Sequence, residues 1–279
     1  MLMEVKNYQS GVSLAITKTM SSCQNHLPLI EKEKKRSFTV RIANTLEERE
    51  EVFKLGYQIY LEKGYIRENA NQWLVQNYDF DPETVIIIVQ DQDKKIAGSV
   101  TLVFDGCSKL PVESIYEDEL KALRASGSKM VELSRLIISP EYRNAKEVLV
   151  LLYNYLAIYT HHIANFNAFI VEANPRHKNF YKALLGFEEV GQEKPCPHVQ
   201  SAPAILLHLP TSFYQSEIHR CHGAMQSNSK ERSLYPYFIK PEQENLVAYY
   251  LAKQRKAMPD NEKNYFGFAE SGFHKVVCV

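Results

Sequence analysis

The pattern of apolar and polar residues predicts alternating strands and helices through the middle of the chain. Short β-rich runs bounded by polar turns predict strands, and longer segments with apolar residues three or four positions apart predict helices. The predicted strands are 38–43, 85–90, 95–104, a run beginning at Val131, 168–173 and 204–209. The predicted helices are 45–64, 117–125, 147–162 and 174–186. This order predicts a mixed β-sheet flanked by helices, in an α/β or α+β architecture.

The two ends of the chain have different patterns from its middle. Residues 1–37 show weak periodicity and end in a stretch rich in lysine and glutamate. From residue 212 the chain is polar and rich in tyrosine, with one more helix predicted from Pro241 through Met258. We therefore predict an N-terminal arm (1–37), a central domain (38–211) and a helical C-terminal extension (212–279) packed on the core.

Composition and charge narrow the classes of partner. The 33 basic residues balance 33 acidic ones, so a surface for nucleic acid or anionic membranes is not expected. The five cysteines are scattered and form no C-x-x-C pair, which is typical of a reducing cytoplasm, and the histidines lack zinc-finger spacing. No stretch approaches the roughly 20 apolar residues of a transmembrane helix. The sequence predicts a cytoplasmic protein with no metal and no transmembrane segment.

The run 131–139 places three polar side chains in an otherwise apolar strand. They are Glu132, Ser134 and Arg135. Isolated charges in a core are costly unless they are paired or used in chemistry. Because side chains alternate along a strand, we expect Glu132 and Ser134 on one face and Arg135 on the other. Glu132 is a candidate base, and the alternative is a structural carboxylate paired with an arginine.

Two motifs resemble known acyltransferases. Residues 174–187, NPRHKNFYKALLGF, resemble the last helix of the GNAT acyltransferase fold, with one extra residue before the glycine. The E-L-S-R strand that starts at Glu132 is similar to the E-x-S-R strand of the acyl-homoserine-lactone synthases, and residues 78–81 are similar to their acidic segment. Over about residues 38–210, the chain most resembles the FeeM-type N-acyl amino acid synthases. This resemblance implies a GNAT-like, splayed β-sheet and an acyl-phosphopantetheine thioester as co-substrate.

The chain departs from these motifs at positions that bear on the expected product and on the expected acyl donor. Gly56 and Thr101 stand where the acyl-homoserine-lactone synthases carry arginines, so production of those lactones is less expected. The loop 140–146 lacks the R-x-x-G-x-G/A pattern by which acetyltransferases wrap the CoA pyrophosphate. The N-terminus of the following helix, with Arg143 and Lys146, still suits one phosphate, as in the arm of acyl carrier protein.

The resemblance and the residue chemistry together suggest how an amine would be acylated. Glu132 is expected to act as the general base through water, with a pKa raised by burial. A backbone N–H near Leu136 or Ile137 is expected to bind the thioester carbonyl oxygen. Tyr181 is a candidate acid for the leaving thiolate, and the alternative is an aromatic side chain in the core.

Five further polar residues are candidates for substrate contacts. Arg135 either binds the carboxylate of the acceptor or braces an acidic loop through Asp79 or Asp81. Ser134 is a substrate contact or a small residue in a packed strand. Asn174 is first a helix N-cap and second a contact of the acyl donor.

These features lead to three alternative hypotheses for the function. The first is an N-acyltransferase that moves a long acyl chain from acyl carrier protein to the amine of an amino acid. The second is a GNAT enzyme that uses acyl-CoA or acetyl-CoA on a small amine, and the third is a non-catalytic ligand-binding relative. A long apolar channel beside Glu132 would favour the first function, whereas a short pocket would favour acetyl transfer.

Overall fold

The computed structural model describes residues 37–106, 108–223 and 232–268. The predicted N-terminal arm lies outside the described residues except for its last position. The strands are β1 (Thr39–Ile42), β2 (Val85–Gln90), β3 (Ile96–Phe104), β4 (Met130–Ile138), β5 (Ala168–Ala173), β6 (Glu188–Cys196) and β7 (Ala202–Pro210). The helices are α1 (Leu46–Glu62), α2 (Glu113–Ala125), α3 (Lys146–Ile158), α4 (Lys178–Leu185), α5 (Thr211–Gly223), α6 (Pro241–Gln254) and α7 (Asp260–Tyr265).

The predicted helix boundaries are set by local capping. Thr45 and Glu48 form a capping box at the start of α1. The Thr45 side chain accepts from the N–H of Glu48, and the Glu48 side chain accepts from the N–H of Thr45. Gly64, just beyond this helix, has a φ of 69°, a left-handed conformation that glycine adopts without steric cost. Gly186 ends α4 in the same way, with its N–H donated to the carbonyl of Lys182.

The seven strands form one mixed sheet in the order β1-β2-β3-β4-β5-β7-β6. Every neighbouring pair is antiparallel except β4 and β5, which are parallel. Ile137 of β4 packs toward Gly56 of α1, whereas its neighbour Ile138 lies with Val148 of α3 around Gly98. Consecutive strand residues point to opposite faces, so α1 and α3 cover opposite sides of the sheet. The predicted mixed sheet flanked by helices is confirmed.

Several elements differ from the sequence prediction. Strand β6 was not predicted, because this edge strand is mostly exposed and carries polar residues where a half-buried strand would alternate. Helix α2 begins at Glu113, four residues before the predicted start. A turn of 3-10 helix, Pro175–His177, lies between Asn174 and α4, and α3 continues into a π-helical turn, Tyr159–Ile163. Helices α5 and α7 were also missed in the polar C-terminal segment.

The C-terminal helices contact the sheet domain at several points. Helix α6 packs on α3, on the π-helical turn and on β1. The carbonyl side chain of Gln254 accepts from the N–H of Ile42 at 3.0 Å. A buried ion pair joins Arg49 of α1 to Glu262 of α7. The division into arm, domain and extension remains a prediction, although these contacts hold α6 and α7 against the core. None of the helices in the described part of the chain has the length and apolar character needed to span a bilayer.

Candidate active site

A cleft opens where the two parallel strands in the middle of the sheet separate. Strands β4 and β5 pair only from Met130–Glu132 to Ala168–Ile170, and beyond these residues the two strands continue without pairing. This is the predicted splay of the sheet. A cavity of about 1860 Å³ extends from the splay and includes Glu132 in its wall.

Glu132 is the last residue of β4 that pairs with β5, and the cleft begins there. Its side chain lines the cavity although the residue is only 3% exposed. One carboxylate oxygen, Oε2, accepts from the N–H of Val112 at 3.0 Å. Burial raises the pKa of Glu132 to about 8, the Val112 hydrogen bond opposes this rise, and the charges of Glu172 and Glu113 add to it. A carboxyl group with such a pKa exchanges protons readily near neutral pH.

Arg135 does not point where strand alternation predicts. Ser99 pairs with Ile137 and Thr101 with Ser134, so β4 has one extra residue over this stretch, a β-bulge. Arg135 occupies the bulge with a φ of 46°. Its guanidinium therefore turns to the face that carries Glu132 and Ser134, and it donates to Thr101 Oγ1 at 2.9 Å. The prediction of an opposite face was wrong because alternation breaks at the bulge.

The guanidinium of Arg135 is held by a buried ion pair with Asp79. Nη1 donates to Asp79 Oδ2 at 2.9 Å and to the carbonyl of Leu74 at 2.8 Å, and Nη2 contacts the other carboxylate oxygen. Phe53 and Tyr78 place their rings 5.4 and 5.2 Å from the guanidinium carbon. Burial alone would lower the pKa of Arg135, but Asp79 and Tyr78 raise it above its ordinary value. The contact to Asp79 matches the bracing alternative, and Asp81 takes no part in it.

Three of the other predicted substrate contacts line the cavity, and one does not. Ser134 and Leu136 line the cavity, and Ser134 Oγ lies 3.0 Å from the hydroxyl of Tyr78. Asp81 also lines it, and accepts from Ser108 Oγ at 2.7 Å. Ile137 instead packs in the core against Gly56 of α1. Of the two predicted oxyanion positions, Leu136 is the one whose side chain reaches the cavity.

Tyr181 is both an aromatic core residue and part of the cavity wall. Its ring lies edge-on to Phe187, with 5.4 Å between centroids, and the residue is buried. Burial raises the pKa of Tyr181, and its interaction with the side chain of Tyr153 opposes the rise. Asn174 lines the cavity as well, and its Oδ1 caps the following turn by accepting from the N–H of Arg176. Both alternatives weighed for Tyr181 are thus compatible with its position.

The sequence and the fold were compared with known proteins. A sequence profile of the family described as N-acyl amino acid synthase FeeM matches residues 51–210, more than half of the chain. The chain belongs to this family. A search of curated proteins finds no match.

Two solved structures of acyl-transferring synthases share the fold of this chain. The structure of FeeM, an N-acyl amino acid synthase from uncultured soil microbes, matches with a TM-score of 0.58 and 24% identity, over 66% of this chain and 95% of that one. The acyl-homoserine-lactone synthase LasI matches with a TM-score of 0.50 and 15% identity, over 63% and 90%. A GNAT-family acetyltransferase from Streptococcus pneumoniae matches with a TM-score of 0.44 and 14% identity, over 62% and 99%. The family membership makes this protein an acyltransferase.

The two predicted phosphate contacts of this acyltransferase lie outside the cavity wall. Arg143 is exposed and forms an ion pair with Glu62 at 3.6 Å. Lys146, the first residue of α3, places its ammonium 3.9 Å from the ring centre of Tyr237. Their role in binding the donor remains a prediction.

Sequence reasoning missed Glu172 as a second carboxylate in the cleft of this acyltransferase. Glu172 lies on β5 two residues beyond Ile170, the pairing partner of Glu132, so both glutamates face the same side of the sheet. Its side chain lines the cavity, and burial raises its pKa, whereas a hydrogen bond with Cys196 lowers it. The signal was present in the sequence, because Glu172 is the only charged residue in an otherwise apolar strand. Among the described residues, no group of His, Cys, Asp and Glu side chains is arranged to hold a metal ion.

Proposed function

We propose that this acyltransferase moves a long acyl chain from acyl carrier protein to the amine of an amino acid. The observation that carries the proposal is Glu132, a buried carboxyl group with a pKa of about 8 in the wall of a large cleft. The cleft begins at this residue because β4 and β5 separate there. A thioester laid between the strands would place its carbonyl carbon beside a base of suitable pKa.

The residues of the cleft can supply each proton transfer of amide formation. Glu132, through a water molecule, takes a proton from the acceptor amine as the nitrogen attacks the thioester carbonyl. The tetrahedral intermediate then breaks its C–S bond, leaving the amide product and a thiolate. Tyr181, which lines the cleft, gives the thiolate a proton.

The loop between β4 and α3 favours a donor with one phosphate over the whole CoA nucleotide. Acetyltransferases of this fold are expected to bind the CoA pyrophosphate with free backbone amides of this loop. Here the loop amides of Tyr142, Arg143 and Ala145 and the amides of Lys146 and Val148 in the first turn of α3 all donate to carbonyl groups of residues 139–145. Those amides are therefore occupied, which supports acyl carrier protein as the donor.

The size and charge of the cavity support a long acyl chain and an amine acceptor. Its volume of about 1860 Å³ exceeds the roughly 300–1,000 Å³ typical of small-molecule pockets. Glu132 and Glu172 face the cleft from adjacent strands, an arrangement that suits an ammonium group. Cys196 and Cys221 are free thiols, which supports the cytoplasmic location expected of an enzyme that uses acyl carrier protein.

The test is turnover with defined donors and acceptors. Purified protein is incubated with long-chain acyl carrier protein thioesters, matching acyl-CoAs, acetyl-CoA and a pool of amino acids, while free thiol and product mass are followed. We expect product with the long-chain carrier-protein donor. Glu132→Gln should lower kcat at least about tenfold, within the range of general-base catalysis.

The control is Glu193→Gln, which removes an exposed carboxylate on the edge strand β6 and should leave kcat unchanged. Turnover with acetyl-CoA in preference to long-chain donors would replace the proposal with the second function. Full activity in folded Glu132→Gln would remove this residue from the mechanism.

A further inference from the structure

A group of basic side chains lies at the open end of the cleft. Lys63 follows the last turn of α1, Arg143 follows β4, and Arg176 follows β5. Lys63 and Arg176 line the cavity and are exposed. Because β4 and β5 are parallel and separate toward their C-terminal ends, residues that follow these ends sit at the mouth of the cleft.

Only one of these three cations is paired with a carboxylate in the described part of the chain. Among the described residues, neither Lys63 nor Arg176 forms an ion pair, and Arg143 pairs only with exposed Glu62 at 3.6 Å. Arg143 pairs with Glu62, the neighbour of Lys63, and Arg176 contacts Tyr65, two residues after Lys63, so the three cations lie around the end of α1. Burial and the charges of Arg176 and Arg143 lower the pKa of Lys63, whereas the charge of Glu62 raises it. Three adjacent cations with one carboxylate form a site that favours an anion.

Arg176 is fixed in a definite orientation at this mouth. Its guanidinium contacts the hydroxyl of Tyr65, and its Nε donates to His177 Nε2 at 3.1 Å. The guanidinium carbon also lies 5.8 Å from the centre of the Tyr65 ring. An arginine held in this way loses little further freedom when it binds an anion.

We propose that Lys63 and Arg176, assisted by Arg143, bind the phosphate of the phosphopantetheine arm that presents the thioester. This inference rests on the proposed function. The arm separates its phosphate from its thioester by a long chain, so a thioester beside Glu132 at the closed end places the phosphate at the open end. The acceptor carboxylate is a poorer occupant, because it is joined to the reacting amine and must stay near Glu132.

The test compares donors with and without the phosphate. The same acyl chain is supplied on acyl carrier protein, on CoA and on pantetheine, which lacks the phosphate. For the double variant Lys63→Gln with Arg176→Gln, we expect KM to rise about tenfold for whichever phosphate-bearing donor is used, with kcat unchanged; a tenfold change corresponds to about 1.4 kcal/mol. The kinetics with acyl-pantetheine should not change. The comparison of carrier protein with CoA identifies the source of the phosphate.

The matched control is Lys182→Gln, which removes an exposed cation from α4 outside the cavity wall. This variant should leave KM unchanged for every donor. A parallel loss with acyl-pantetheine, or a higher KM for the amino acid instead of the donor, would overturn the inference while leaving the acyl transfer intact.

A binding measurement decides the site even without turnover. Calorimetry with 4′-phosphopantetheine and with pantetheine should show tighter binding of the phosphorylated compound by unmodified protein, and the double variant should lose this difference. Equal binding of the two compounds by unmodified protein would refute the phosphate site. Absence of turnover with every thioester would instead refute the proposed function.

Discussion

Replacement of Glu132 by glutamine should make the protein more stable at high pH. The pKa of this carboxyl group rises from 4.5 to about 8 on folding, chiefly because of burial. The folded state therefore binds more protons than the unfolded state between these pH values, so the wild-type protein loses stability as pH rises through that window. A glutamine side chain carries no charge and avoids this loss.

The magnitude follows from the size of the pKa difference. A shift of about 3.5 units at 1.36 kcal/mol per unit gives a total near 5 kcal/mol, of which about 4 kcal/mol falls between pH 5 and pH 9. The free energy of unfolding of Glu132→Gln, relative to wild type, should rise by about that amount over this range. The hydrogen bond from Val112 is retained, since the amide oxygen of glutamine can also accept it.

The assay is urea unfolding of both proteins at pH 5, 7 and 9, with Glu193→Gln as the control. The difference in the free energy of unfolding between Glu132→Gln and wild type should grow with pH. The same difference between Glu193→Gln and wild type should not change with pH. A variant that is less stable than wild type at pH 9 would show that Glu132 is a charged, paired structural residue. That result would refute both the conclusion that burial raises the pKa of Glu132 and the proposed role of Glu132 as a base.

Three further predictions concern the same cleft. The value of kcat/KM, measured by thiol release, should rise with pH around pH 8, and this rise should be absent in Glu132→Gln. A rise that persists in the variant would belong to another titrating group. Arg135→Met should lower the free energy of unfolding in urea by about 3–5 kcal/mol, because Asp79 is left as an unpaired buried charge. A loss below about 1 kcal/mol would contradict a stabilising role for the Arg135–Asp79 ion pair. Tyr181→Phe should lower kcat for alkyl thioesters more than for aryl thioesters, whose thiolates need no acid, and equal losses would remove Tyr181 as the proton donor.

The sequence predicted elements whose signals are local. The capping box at Thr45, the apolar run 85–89 of strand β2 and the glycine at 186 each act within a few residues of the chain. For the same reason Glu132 stood out, because a charge inside an apolar strand is visible without knowledge of the fold. Elements without such signals were missed, as the polar edge strand β6 shows.

The site required information that no local pattern carries. Arg135 turns toward the cleft because the pairing of β3 with β4 introduces a bulge, and pairing is a relation between distant segments. Glu172 becomes a partner of Glu132 only through the register of β4 with β5.

The sequence alone thus determined the order of elements from β1 to α4, the acyltransferase resemblance and the most informative carboxylate. The tertiary structure decided which side chains share the cleft, how far Glu132 is removed from water, and that Lys63 and Arg176 both line the cavity. The physical reason is the range of the interactions. Capping and periodicity act between neighbours in the chain, whereas desolvation and charge depend on distances in space that are fixed only when the sheet assembles.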